Sequence, residues 1–270
     1  MRSLLADRIS GVNERGEKAL GIFITSGFPN LEATVLLLQT IDEAGADFIE
    51  LGMPFSDPLA EGVPIQKSSQ IALESGVTMQ DTLRFAAEFR KTSETPLVLM
   101  GYGNPILQYG INNFYSDARS CGVNGVILPD VLPDMASPFY RAAQANKIDV
   151  ICLISPTTSA ERMKKIDRLS SGFVYAVSVT GVTGADLGDS KPILDYLKQA
   201  KQNISRNPIL VGFGIRSGAD VRRMTPDIDG AIVGSALVTM IGELWADSSL
   251  QSSERLDRVK SFVRELKSDS

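Results

Sequence analysis

Histidine is absent from this 270-residue chain. That absence removes Ser-His-Asp hydrolysis, histidine metal sites and histidine acid–base catalysis together, so a proton-transfer group here must be a carboxylate, lysine, tyrosine or cysteine. Cysteine is scarce. Cys121 follows a helical stretch, Cys152 lies in a strand-like run, and neither has metal-type spacing, so both read as reduced core thiols. No apolar run reaches transmembrane length, and Met1–Glu17 carries both charge signs without the apolar centre of an export signal. No membrane association is therefore expected, and the expected location is cytoplasmic. Basic runs are missing too, and the net charge is −5, so nucleic acid is not an expected partner. Nor does a linker, low-complexity tract or composition break divide the chain, which reads as one domain over residues 1–270.

What is present is an ordinary globular composition, 43% hydrophobic and 22% charged, with ample length for a large core. A helix–Gly–strand pattern recurs through it. Ile41 to Glu50 is echoed by Asp117 to Leu128, each with Gly just past a helical stretch, where a left-handed C-cap is wanted. The residues after each Gly are bulky and apolar, as a parallel strand buried on both faces requires. The pattern predicts strands at Leu20–Thr25, Phe48–Gly52, Leu97–Gly101, Gly125–Pro129, Val150–Ile154, Phe173–Val177, Ile209–Gly212 and Gly230–Val233. Helical stretches alternate with them, among them Leu31–Ala44, Asn113–Cys121, Met135–Ala145, Ser159–Leu169 and Pro192–Lys201. The expected fold is α/β, a (β/α)8 TIM barrel with additional N-terminal (Leu4–Arg15) and C-terminal (Glu254–Lys267) helices. A doubly wound open sheet is the alternative, although no G-x-G-x-x-G follows the first strand.

Glu50 ends an otherwise apolar strand, and Glu61 lies in the Pro- and Gly-rich loop that follows. A carboxylate in such a strand is costly unless it is paired or opens onto a pocket where its pKa is used. Two carboxylates in different environments suit acid–base chemistry without a metal. A strand-end Glu can equally salt-bridge or cap a neighbouring helix. Two connections after strand ends are long, Gly52 to about Pro96 and Ser178–Ser190, and barrel enzymes place their chemistry at that end. Gly212-Phe213-Gly214 follows the seventh strand, and Gly234-Ser235 follows the eighth and opens a helix. Glycines and a helix N-terminus at those two positions make the usual barrel phosphate site, though each glycine also suits a plain tight turn. Gly181-Val182-Thr183-Gly184 reads as a lid, or as a solvated loop. Phe23, Tyr102 and Tyr175 lie at or beside strand ends, as core or as walls of an apolar pocket.

Assembled, these residues closely resemble the tryptophan synthase α-subunit family over nearly the whole chain. The matching runs are Glu50 to Ala60, Ile65-Gln66, Asn104-Pro105-Ile106, Pro156-Thr157-Thr158, Ser178 to Gly184 and Gly212 to Ile215. The resemblance implies retro-aldol cleavage of indole-3-glycerol phosphate to indole and glyceraldehyde 3-phosphate, a carbon–carbon lyase step in tryptophan biosynthesis. It implies proton transfers by Glu50 and an indole N–H held by the following loop carboxylate, Glu61. It also implies indole walls at Phe23, Ile65, Ile127 and Tyr175, phosphate contacts at Gly184, Gly212, Phe213, Gly214, Gly234 and Ser235, and Thr183 anchoring the lid. No cofactor is expected in this chain. The implied partner is a β subunit, carrying pyridoxal phosphate, in an αββα complex through which indole passes.

One departure stands out: the family usually has Asp where this chain has Glu61, and Gly-Pro-x-Ile-Gln where it has Gly62-Val63-Pro64-Ile65-Gln66. A weakly active or non-catalytic α-like subunit that mainly activates its β partner is therefore the alternative function. A barrel aldolase acting on another sugar phosphate is a third, opposed by the lack of a lysine at a strand end for a Schiff base.

Overall fold

The computed structural model describes residues 3–58, 61–132, 137–177, 191–212 and 214–268. In chain order the elements are α1 (Leu4–Glu14), β1 (Ala19–Thr25), α2 (Leu31–Glu43), β2 (Phe48–Gly52), α3 (Val63–Glu74), α4 (Met79–Arg90), β3 (Leu97–Met100), α5 (Gly103–Tyr109), α6 (Ile111–Ser120), β4 (Gly125–Ile127), α7 (Ser137–Ala145), β5 (Asp149–Ile154), α8 (Ala160–Leu169), β6 (Val174–Val177), α9 (Lys191–Asn203), β7 (Ile209–Gly212), α10 (Gly218–Met224), β8 (Gly230–Val233), α11 (Ser235–Ala246) and α12 (Ser252–Ser268). All eight strands pair in parallel, each with its sequence neighbour, and β8 returns to β1 to close the barrel. The (β/α)8 architecture expected from the sequence is therefore the one found, with α1 and α12 as the added terminal helices.

Local chemistry explains the alternation. Gly45 and Gly122 follow α2 and α6 with φ of +99° and +80°, the left-handed conformation that ends a helix before the next strand. Ser159 and Ser217 cap α8 and α10 by accepting from the backbone N–H three residues on, and Asp220 completes a capping box at Ser217. Helix α5 is an addition to the expected elements; Pro105 falls in its first turn, where its missing N–H has no intrahelical acceptor to lose. The other differences are boundary shifts of one or two residues, in line with frayed element ends.

At the N-terminal end of the strands, buried Asp47 accepts from the Leu20 backbone N–H (2.9 Å), pairs with Lys267 of α12 (2.8 Å) and lies 3.6 Å from Arg8 of α1. Both added helices are thereby tied to one carboxylate beneath the barrel, leaving the C-terminal end of the strands open for a site. Inside the barrel, large rings lie across glycines. A Cβ on Gly52 would stand 2.5 Å from the Phe23 ring, and one on Gly212 would stand 2.0 Å from the Tyr175 hydroxyl. Glycine at the ends of β2 and β7 is what lets these two rings reach the barrel mouth.

Candidate active site

A cavity of ≈ 330 Å³ opens at the C-terminal end of the strands, within the size range of small-molecule sites, roughly 300–1,000 Å³. It takes its wall from β1 (Phe23), β2 (Glu50), β3 (Met100), β6 (Tyr175) and β8 (Ile232), from the loop and helix after β2 (Glu61, Pro64, Ile65), and from the segments after β7 and β8. Register accounts for the convergence: Glu50 pairs with Phe23 on one side and Val98 on the other, so the carboxylate and the ring share the inward parity of the barrel.

Glu50 is 1% exposed, and neither side-chain oxygen has a hydrogen-bond partner among the described residues. Burial pushes its pKa up to about 8, so at neutral pH the group is mainly a neutral carboxylic acid. A buried, unpartnered acid facing a cavity is costly for folding and suited to proton donation. Tyr175 lies close to both carboxylates; burial, then Glu50 and Glu61, hold its phenol well above the ordinary tyrosine range, so it remains protonated.

Glu61 is held from several directions. Its carboxylate accepts a hydrogen bond from the Tyr102 hydroxyl, and its backbone carbonyl accepts from the Gln66 amide at 3.0 Å. The same Gln66 amide reaches the Pro58 carbonyl at 3.4 Å, so one side chain of α3 ties both flanks of the loop. Tyr102 stacks on Phe55 with ring centroids 4.9 Å apart. The next residue's backbone N–H (Gly103) donates to both oxygens of Asp130 at 3.0 Å, which anchors the start of α5. Below the loop, Ser68 of α3 bonds Thr25 of β1 at 2.6 Å.

The opposite end of the cavity carries Gly214, Ile215, Arg216, Gly234, Ser235, Ala236 and Thr239. Gly214 has φ of +78°, and Gly234 caps α11 without any side-chain hydrogen bond. The first backbone N–H groups of α11 thus have no side-chain cap, and the helix dipole adds partial positive charge there. An anion is the complement of that end.

Of the residues singled out in the sequence, Phe23, Glu50, Glu61, Ile65, Tyr175, Gly214, Gly234 and Ser235 meet around this one cavity. Ile127 does not line it; in β4 it is wholly buried in the barrel core. Tyr102 is 3% exposed and touches the site through Glu61 instead of walling it. Gly212 is also off the wall, where its missing side chain makes room for Tyr175. Thr183, Gly184 and Phe213 lie outside the described residues. Sequence reading missed Pro64, Met100, Ile232, Arg216, Ala236 and Thr239. Met100 and Ile232 follow from inward parity once the register is known, and Thr239 lies one helical turn after Ser235.

Comparison with known proteins agrees with the barrel fold. A family model described as tryptophan synthase alpha chain matches residues 9–270. The tryptophan synthase alpha chain of Geotalea uraniireducens is 42% identical over 265 residues, covering 98% of this chain and 97% of that one. That of Petrotoga mobilis is 42% identical over 256 residues, covering 94% and 96%. Among solved structures, tryptophan synthase subunit alpha from Legionella pneumophila superposes with a TM-score of 0.90 at 34% identity, covering 100% of this chain and 98% of that chain. Mycobacterium tuberculosis tryptophan synthase gives 0.89 at 33% identity, covering 100% and 98%.

Proposed function

The chain belongs to the tryptophan synthase alpha chain family, and from that premise we propose that its cavity cleaves indole-3-glycerol phosphate into indole and glyceraldehyde 3-phosphate. Glu50 is the observation that carries the reading: a buried acid, unpartnered among the described residues and held neutral near pH 7 at the wall of a substrate-sized cavity. The reaction needs a proton delivered to indole C3 and another removed from the side-chain hydroxyl next to that carbon. Neutral Glu50 gives its proton to C3, which places positive charge on the indole ring. The Glu50 carboxylate so formed then takes the hydroxyl proton; the C–C bond breaks, its electron pair returns to the ring, and the carbon bearing the oxygen leaves as the aldehyde. One proton goes out and one comes back, so Glu50 ends the cycle in the form in which it began.

Glu61, turned toward the same cavity and braced by Tyr102, accepts the indole N–H and offsets the charge that develops on the ring. Phe23, Ile65 and Tyr175 take the two faces of the ring system, with Met100 and Ile232 completing the apolar wall. The phosphate group goes to the Gly214 and Gly234-Ser235 end, where glycines and the α11 N-terminus favour an anion. Thr183, Gly184 and Phe213 belong to the same phosphate and lid role by family resemblance.

The chain acts as the α subunit of a complex with a β subunit, and pyridoxal phosphate belongs to that partner. The rim after β2, β3 and β4 supports this: Val63, Leu107 and Leu132 are 59%, 56% and 54% exposed there, apolar surface of the kind an interface covers. With this role goes a cytoplasmic location; no described helix is long and apolar enough to cross a membrane. The test is product analysis. Purified chain supplied with indole-3-glycerol phosphate, alone and with a β dimer, is expected to form indole and glyceraldehyde 3-phosphate in equal amounts, faster with β. No aldehyde in either mixture would overturn the assignment.

A further inference from the structure

We infer that Arg216 is a specificity residue of this site, whose guanidinium binds the phosphate of the substrate and selects phosphorylated over neutral side chains. The inference rests on the proposed reaction, since it takes the phosphate end of the cavity as given. Among the described residues lining the cavity, Arg216 is the one basic side chain, beside the acidic Glu50, held neutral, and Glu61. A phosphate ester brings negative charge into a space already holding Glu61. Backbone amides and a helix terminus answer that charge with only partial charges, about half a unit at the helix end. A full positive charge on the lining of the same cavity redresses the balance, and a guanidinium fork matches two phosphate oxygens.

The local structure holds Arg216 where this needs it. It follows Gly214 and Ile215, both on the cavity wall, and precedes Ser217, the cap of α10. Its backbone N–H donates to Asp220 Oδ2 at 3.0 Å, which fixes the main chain at the root of the side chain. The same carboxylate braces the turn: Oδ2 also accepts from the Ser217 backbone and hydroxyl, and Oδ1 pairs with Arg223 at 2.8 Å. Arg216 is solvent-exposed, so its charge stands at the mouth of the cavity, where an incoming phosphate ester is met first.

Glycerol 3-phosphate, with glycerol as the neutral control, tests this by calorimetric titration of the wild-type chain, Arg216→Ala and Arg216→Lys. Removing the charge is expected to weaken glycerol 3-phosphate binding at least about tenfold, the scale of one lost charge-assisted hydrogen bond. Arg216→Lys should recover most of that loss, and added salt should weaken wild-type binding more than Arg216→Ala binding. In turnover, Arg216→Ala should raise KM for indole-3-glycerol phosphate by the same factor, with kcat within about threefold of wild type. Equal glycerol 3-phosphate affinity in wild type and Arg216→Ala, or no binding by the wild type, overturns the inference. Loss of glycerol 3-phosphate binding in Arg216→Ala, in a wild type that releases no indole, upholds the phosphate role and sinks the proposed reaction instead.

Discussion

Replacing Glu50 by glutamine should remove activity and yet stabilise the fold, increasingly so as pH rises. The folded protein holds the Glu50 proton with a pKa of about 8, whereas the unfolded chain releases it near the ordinary 4.5. Between those values the native state binds the extra proton, so wild-type stability falls as pH rises. The native state bears no such penalty below about pH 4.5 and the whole of it above about pH 8. Each unit of difference corresponds to about 1.4 kcal/mol, which sets an upper bound of about 3 kcal/mol at pH 7 and about 5 kcal/mol above pH 8. Water entering the cavity reduces this, and about 2–3 kcal/mol at pH 8 is the working expectation. Glutamine has nearly the same shape and cannot ionise, so it escapes the penalty. For a chain of this size the gain amounts to about 5 °C in Tm. Thermal melts of both proteins from pH 5 to 8.5 provide the measurement. The curves should lie close together at pH 5 and separate as pH rises, with Glu50→Gln the more stable. A gap that does not change with pH, or a less stable Glu50→Gln at pH 8.5, refutes the argument that Glu50 is buried neutral.

Wild-type kcat/KM should decline above about pH 8, roughly tenfold per pH unit, as the neutral form of Glu50 is titrated away; a flat profile to pH 9.5 would argue against a neutral acid as the starting form. Gly212→Ala puts a methyl group where the Tyr175 hydroxyl now lies, so it should cost about 1–3 kcal/mol of stability and at least about tenfold in kcat/KM, measured by melting and indole release. If the Glu61 loop is adapted to glutamate, Glu61→Asp will be no faster than wild type and Glu61→Ala nearly inactive, since misplacement by about 1 Å can cost roughly 10²-fold. A tenfold gain in Glu61→Asp would instead favour the weakly active, β-activating reading. Leu107→Asp should weaken association with a β dimer at least about tenfold in sedimentation experiments and leave basal indole release unchanged; unaltered association would move the interface elsewhere.

The barrel was legible because its punctuation is local. Gly45 and Gly122 end helices by chain conformation alone, and the apolar runs after them have only one buried arrangement in a parallel sheet. Glu50 was legible for the opposite reason, as a charge in a strand with no use for one. Helix α5 was not legible because proline breaks a helix everywhere except its first turn, and only the fold reveals that the turn starts at Gly103. Ile127 and Met100 show the limit on the site. Both are apolar strand residues, and which of them reaches the cavity depends on register and barrel height, set by pairing between distant segments. Arg216 takes its meaning from the β8 segment brought beside it, which no local pattern announces.

Whether Glu50 carries the proton in carbon–carbon cleavage is decided by indole release from Glu50→Gln beside wild type, both saturated with a β dimer. In Glu50→Gln, kcat is expected to fall at least about 10²-fold, with the variant folded and still able to bind glycerol 3-phosphate. A variant that releases indole within a few-fold of wild type would contradict it.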